Sequence, residues 1–349
     1  MSSRFLIVKP SSLGDVLHAF PAVSALCRKT KGTADWLIHP AFAQLLCYLP
    51  CVERSIIFDR KALGSFGSFL PSYLKLRKEL RQTKYDAVID LQGLMRSAYF
   101  GSIAKAKIHA GPDDPREKAA RFFYSKKIVR TPGQHAVVRN NEIIAGFLGL
   151  DVNKVHFSAP LAVDPGFLLE AEDILAQEGI PEGKMFIGVA PGARWQSKCW
   201  PPTYFANVVK RLMERFPEAH VLLMGTNDEH PAAAAIRKLL DDPASATDLC
   251  GKTRLGPLVE LIRKCSIFLC NDSGPMHIAA ALNVPVVAPF GPTDPELTGP
   301  YSENSITIQP DLDCICCFNR VCPDMKCHQL LRPDTAANAA IDLMLNRKS

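Results

Sequence analysis

The chain is expected to fold as an α/β protein of two Rossmann-like, doubly wound halves, and three observations carry that expectation. Its 349 residues correspond to about two domains at ~150 residues each. Short apolar runs alternate with helix-length segments along both halves. The alternation loosens once, near the middle, at residues 158–184.

In the first half, residues 4–9 read as a short buried strand and 16–28 as the helix that follows. Residues 35–39 and 55–59 are further strands. A basic amphipathic stretch at 73–84 leads into a strand at 87–91, and a fifth strand is expected near Ile108. Successive runs are far enough apart for parallel crossovers, which need a dozen or more residues. Pro160, Pro165, Pro181 and Gly183 then bracket a helix near 168–177. That stretch marks the boundary between an N-terminal domain, 1–160, and a C-terminal domain, 161–333. In the second half, strands are expected at 185–190, 220–224, 267–270, 284–289 and 306–309, with helices at 203–215, 232–240 and 275–282. A last helix occupies 334–349, following a cysteine-rich loop at 314–328.

Composition narrows the function classes. With 47% hydrophobic and 22% charged residues, the chain is neither disordered nor a fibrous repeat. No apolar run approaches the ~18 residues of a membrane span, and the N-terminus lacks the 7–15-residue apolar core of a secretory signal. A cytoplasmic protein is expected. The net charge of +6 is too mild and dispersed for a nucleic-acid protein, but suits an anionic small ligand or contact with an acidic lipid surface. Seven of twelve cysteines are scattered; Cys314, Cys316, Cys317, Cys322 and Cys327 crowd together. Their spacing is irregular for a tetrahedral zinc and a disulfide framework fits a cytoplasmic protein poorly, so reduced thiols are the favoured reading. Asp311-Leu-Asp313 is read as a chance match to an acidic metal triplet.

Four loops follow strands and carry polar residues suited to chemistry. Lys9-Pro-Ser-Ser12-Leu-Gly14-Asp15 joins the first strand to its helix. Gly14 permits a close approach or a positive φ, and Asp15 begins the helix at the carboxyl end of a central strand, where it faces the cleft or serves only as a helix-start acid favoured by the macrodipole. The glycines of a dinucleotide fingerprint are absent. Pro191-Gly-Ala-Arg-Trp-Gln-Ser-Lys198-Cys-Trp-Pro201 contains Lys198, a point charge suited to a phosphate. Asn271-Asp272-Ser273-Gly274-Pro275-Met276-His277 is the most pointed. Ser273 or Gly274 caps a helix and Pro275 fits its first turn, leaving N–H groups for an anion. Gly225 to Glu229 closes another strand, where an acid can meet ribose hydroxyls.

Together these loops, with Tyr85-Asp-Ala-Val-Ile-Asp-Leu-Gln92-Gly93 and Phe290-Gly-Pro-Thr-Asp294, resemble the ADP-heptose:lipopolysaccharide heptosyltransferases of glycosyltransferase family 9. The resemblance runs in order over nearly the whole chain. It implies a GT-B fold, two Rossmann-like domains facing across a cleft, with the acceptor on the N-terminal and the ADP-sugar on the C-terminal domain. It implies inverting, metal-independent transfer of heptose from ADP-L-glycero-D-manno-heptose to the lipopolysaccharide inner core, with no cofactor, the ADP-sugar being a substrate. By that likeness Asp15 is the base. Lys198 and the stretch from Asp272 to His277 hold the diphosphate; Gly225 and Glu229 are expected at the nucleoside from their place at a strand end, not from the likeness. Ser12, Gly14, His18 and Gln92 meet the acceptor. Residues 105–130, with eight Lys/Arg against three acids, add Arg116 and Arg121 toward the anionic core lipid, with peripheral contact at the inner membrane surface. A sugar-nucleotide epimerase or a non-catalytic nucleotide-binding module remains the competing class.

Overall fold

The computed structural model describes residues 3–64, 67–180 and 183–346; Pro181, named above as a boundary marker, lies outside the described residues. The chain divides into two compact units, residues 1–162 and 163–349.

Unit 1 contains β1 (Arg4–Val8), α1 (Leu13–Leu17), α2 (Phe20–Thr30), β2 (Thr33–Ile38), β3 (Val52–Ile57), α3 (Phe69–Gln82), β4 (Lys84–Asp90), α4 (Met95–Ile103), β5 (Lys105–Pro112), β6 (Lys126–Ile128) and α5 (Ala136–Leu148). Its sheet is parallel throughout, in the order β3-β2-β1-β4-β5-β6. β1 lies inside it, with Phe5, Leu6, Ile7 and Val8 all buried, as a continuous apolar run should be in a strand covered on both faces. The expected helix over 16–28 is in fact two. Pro21 has no N–H, and its ring would clash with the Leu17 carbonyl in a continuous helix, so α1 stops at Leu17 and α2 starts anew at Phe20. The basic helix also runs earlier than expected, and Lys84 opens β4 instead of closing α3.

Unit 2 contains α6 (Pro165–Gln177), β7 (Phe186–Ala190), α7 (Pro202–Arg215), β8 (His220–Leu223), α8 (His230–Leu239), β9 (Ala246–Asp248), α9 (Leu255–Arg263), β10 (Cys265–Cys270), α10 (Gly274–Ala281), β11 (Val286–Pro289), α11 (Pro295–Thr298), β12 (Ser305–Ile308), α12 (Lys326–Leu330) and α13 (Pro333–Leu345). Its parallel sheet has the order β12-β11-β10-β7-β8-β9, so that, counting from β7, it repeats the connectivity of unit 1. The last helix is no appendage. Ala336, Ala337 and Ala340 of α13 enter the core formed by α7, β7, β8 and β10.

This topology positions the site. In each sheet the strand order reverses beside the first strand, between β1 and β4 and again between β7 and β10. A crevice opens outside the carboxyl ends of the strands at such a reversal, and ligands bind there. Among the described residues no helix is long and apolar enough to cross a membrane.

Candidate active site

In unit 1 the loops after β1 and β4 meet at the reversal. Ser12 is the N-cap of α1, and Asp15, three residues on, accepts from the Ser12 N–H at 2.8 Å and from its hydroxyl at 2.6 Å. The Lys9 ammonium, itself buried, stands 3.6 Å from the other Asp15 oxygen and donates to the Leu91 carbonyl at 2.8 Å. Burial pushes the Asp15 carboxyl up, but Lys9, the two Ser12 donors and nearby His18 outweigh it and bring it down to about 2. The carboxylate is therefore ionised at any physiological pH and held at a fixed point. His18 is buried one turn later, its ring 5.1 Å from that of His135. Gly14 is an ordinary helical residue of α1, so of the two roles open to it a positive φ is not the one it takes. That role falls to Gly93, at φ +69°, where a Cβ would lie 3.2 Å from the Arg116 backbone nitrogen.

The loop after β4 is held from beneath. Asp90 is fully buried and accepts from the Gln92 and Gly93 N–H groups and from the Ser97 and Tyr124 hydroxyls, at 2.8–3.1 Å. This places the Gln92 amide oxygen 3.4 Å from the Ser11 nitrogen. Alongside lies a pocket lined by Ser11, Phe58, Arg60, Gln92, Met95, Arg96 and Glu117, among others. Arg60 and Arg96, both exposed, were not singled out from sequence. The signal was available, since each follows closely on the carboxyl end of a strand, β3 or β4.

The basic segment 105–130 does not form one patch. Lys105 and Lys107 lie at the amino end of β5, ~20 Å along the strand from its carboxyl end at ~3.3 Å per residue. Arg121 is engaged by Asp113 at 2.6 Å, Arg130 by Asp114 at 2.7 Å, and the Lys126 amine by the Phe147 carbonyl at 2.8 Å. Arg116 is exposed, one residue from Glu117 of the pocket.

In unit 2 the loops after β7 and β10 are laced together. The fully buried Asn271 side chain accepts from the Trp200 N–H at 3.0 Å and donates to the Pro191 carbonyl at 2.6 Å. Asp272 accepts from the Lys198 ammonium at 2.5 Å and from the Thr293 hydroxyl at 2.6 Å. The same ammonium lies 4.6 Å above the Trp195 ring, a cation–π contact that further restricts it. Ser273 is the N-cap of α10, with Pro275 in the first turn, yet its hydroxyl makes no capping bond and is buried without a partner. A buried hydroxyl without a partner at a helix start is the kind of place where an anion can be held. His277 is half-buried on the same turn. The Met276 side chain is 0% exposed and packs in the core, which leaves its backbone N–H, in the first turn of α10, as the group it could offer a sugar donor. Being at the third helical position, the side chain turns inward while Gly274 and Pro275 remain at the rim.

Gly192 and Gly225 serve a neighbour. A Cβ on Gly192 would lie 2.2 Å from Glu229 Cγ, and one on Gly225 2.8 Å from Glu229 Cβ. The two glycines thus admit Glu229, whose carboxylate accepts from the Thr226 N–H and hydroxyl. The cysteine-rich loop touches the Lys198 loop as well. The Ser197 hydroxyl donates to the Asn319 carbonyl at 2.6 Å, and buried His328 bonds the Ser197 carbonyl at 2.6 Å.

All twelve cysteines are free. Among the described residues one trio of metal-type ligand atoms lies within 4.8 Å, that of His230, Asp248 and Cys250. Burial pushes the Cys250 thiol up and Asp248 adds to this; Asp248 also accepts from the Cys250 N–H at 2.9 Å and bonds the His230 ring at 2.8 Å.

A family model described as glycosyltransferase family 9 (heptosyltransferase) matches residues 73–328. The chain belongs to this family. A lipopolysaccharide heptosyltransferase 1 from Pseudomonas aeruginosa is 30% identical to this family 9 chain over 91% of its length and 87% of the relative's. A lipooligosaccharide heptosyltransferase 2 from Campylobacter jejuni is 29% identical over 98% and 99%. The solved structure of E. coli heptosyltransferase WaaC with ADP matches with a TM-score of 0.79 and 26% identity, covering 97% of this chain and 99% of that one. The protein is a glycosyltransferase of GT-B fold.

Proposed function

We propose that this glycosyltransferase transfers heptose from ADP-heptose to the inner core of lipopolysaccharide, with inversion and without a metal ion. The observation that carries the reading is the division of polar groups between the two strand reversals. Unit 1 offers an ionised carboxylate beside a pocket with two arginines. Unit 2 offers a lysine and a helix start with a buried, unpartnered hydroxyl. The relatives' names supply the sugar and the acceptor.

In this reading Asp15 accepts the proton of the acceptor hydroxyl as its oxygen bonds to the anomeric carbon, and the bond from that carbon to the diphosphate breaks with its electron pair leaving on ADP. Lys198 and the N–H groups of α10 meet the charge that develops on the leaving phosphate. Asp272, Thr293 and Trp195 keep Lys198 from relaxing away. Arg60 and Arg96 face the anionic groups of the core acceptor, and Glu229 lies where ribose hydroxyls are met in related sheets.

The test is to incubate the protein with ADP-heptose and a heptose-deficient core lipid, then weigh the lipid by mass spectrometry. A gain of one heptose unit with release of one ADP supports the reading. An altered donor with unchanged lipid identifies an epimerase, and ADP-heptose bound but unreacted identifies a binding module.

A further inference from the structure

α3 carries a face that the transfer chemistry does not use. Its inner side is anchored by buried Leu76 and Leu80. On its outer side Leu70, Leu74, Arg77 and Arg81 follow one another at four-, three- and four-residue intervals, which places them in one stripe, and all are exposed, Leu70 by 60% and Leu74 by 49%. Lys78 flanks the stripe. The one acid of the helix, Glu79, lies off to the side and half-buried.

The apolar end of the stripe continues onto α4. Phe69 stacks on Tyr73, whose hydroxyl lies 3.0 Å from that of Tyr99, and Tyr99 and Met95 are exposed. Met95 also lines the pocket beside Gln92. Single exposed leucines need no explanation. A stripe of leucines ending in cations, edged by tyrosines and running to the mouth of the acceptor pocket, has the make-up of a helix lying in a lipid–water interface.

We infer that the outer face of α3 docks on the surface of an anionic lipid bilayer, seating the acceptor pocket beside the membrane in which the core lipid is anchored. The inference rests on the proposed acceptor for its purpose, but not for its test. Arg77, Lys78 and Arg81 meet anionic headgroups, while Leu70 and Leu74 enter the boundary with the acyl chains.

The experiment is sedimentation of the full-length protein with phosphatidylcholine vesicles, with and without 30 mol% phosphatidylglycerol, no donor or acceptor being present. Binding is expected only with phosphatidylglycerol and should weaken with salt. Two cations, each worth about fivefold near an anionic surface, predict about 25-fold weaker partition for the Arg77→Gln/Arg81→Gln protein. Leu70→Ser/Leu74→Ser should lose binding even at low salt. Both pairs leave the buried side of α3 intact, and an unchanged Tm confirms folding. Each should lose turnover on acceptor embedded in vesicles while keeping it on a water-soluble, deacylated acceptor. Wild-type protein that ignores the anionic vesicles, or variants that bind them as tightly as wild type, would overturn the inference. So would a concentration-dependent dimer abolished by the leucine changes with vesicle binding unaltered, which would make the face an interface between copies. Failure of heptose transfer with vesicle binding intact would instead count against the proposed reaction alone.

Discussion

Replacing Asp15 by Asn removes the carboxylate charge while keeping the size of the side chain and an oxygen that can still accept from Ser12. The folding consequence follows from the geometry. Asp15 lies at about 2 instead of the ordinary 3.8, which corresponds at pH 7 to at most about 2.4 kcal/mol of stability. Its side chain is 41% exposed, so screening by solvent reduces this to about 1 kcal/mol. Because the folded-state value is depressed, the contribution is complete above the ordinary carboxyl value and disappears as pH falls from about 4 to about 2. The difference in Tm between wild type and Asp15→Asn should close over that interval. The catalytic consequence is larger. If Asp15 takes the acceptor proton, kcat should fall about 10²- to 10⁴-fold, with ADP affinity, measured by calorimetry, unchanged because the diphosphate groups belong to unit 2. The pH profile separates Asp15 from its neighbour. A base already ionised near pH 2 produces no acid limb in kcat/KM between pH 5 and 8. An acid limb near the ordinary histidine value of ~6.5 that vanishes in His18→Ala, together with full turnover in a folded Asp15→Asn protein, would refute the reasoning and move the base to His18.

Lys198→Ala should weaken donor binding about 10- to 150-fold, the worth of a charge-assisted contact of ~1.5–3 kcal/mol, and should lower kcat as well if the contact tightens with the leaving charge; wild-type kinetics would remove Lys198 from the site. Arg60→Ala and Arg96→Ala should each raise acceptor KM in low salt with donor KM unchanged, and an unchanged acceptor KM would separate the pocket from the acceptor. His328→Ala leaves the Ser197 carbonyl without its partner, costing about 1–3 kcal/mol; a lower Tm and a higher donor KM are expected, and a normal donor KM would show that the cysteine-rich loop does not hold the Lys198 loop. Dialysis against a chelator should leave turnover intact, whereas activity lost and restored by one divalent ion would overturn the metal-free mechanism.

What was legible in the sequence was local. β1 is a run of apolar residues bounded by Lys9 and Pro10, and the loops holding Asp15, Lys198 and Ser273 each follow such a run within a few residues. Their place at the strand reversals then follows from the alternation of strands and helices. The break in the first helix was also present locally, in Pro21, whose missing N–H and ring end α1 and restart α2. The supports of the site were not legible because they are contacts between distant segments. Nothing near Asp90 announces that Tyr124, 34 residues later, will donate to it. Nothing near Lys198 points to Asp272, 74 residues on. The basic segment shows the opposite limit: counting charges along a chain ignores that a strand carries its two ends apart, so that Lys105 and Lys107 lie at the far end of β5 from Arg116 and Arg121.

The bond between Ser197 and His328 spans 131 residues, and on the ribosome that separation becomes a delay. At synthesis rates of about 5–20 residues per second, His328 is made about 7–26 seconds after the lysine loop. Unit 1, complete at residue 162, has already left the exit tunnel by then. A newborn chain therefore passes through a period in which its acceptor half can fold while the lysine loop of its donor half still lacks its far anchor. Chains released early, short of His328, would carry every residue assigned to the reaction and still lack both the partner of the Ser197 carbonyl and the α13 side chains of the core.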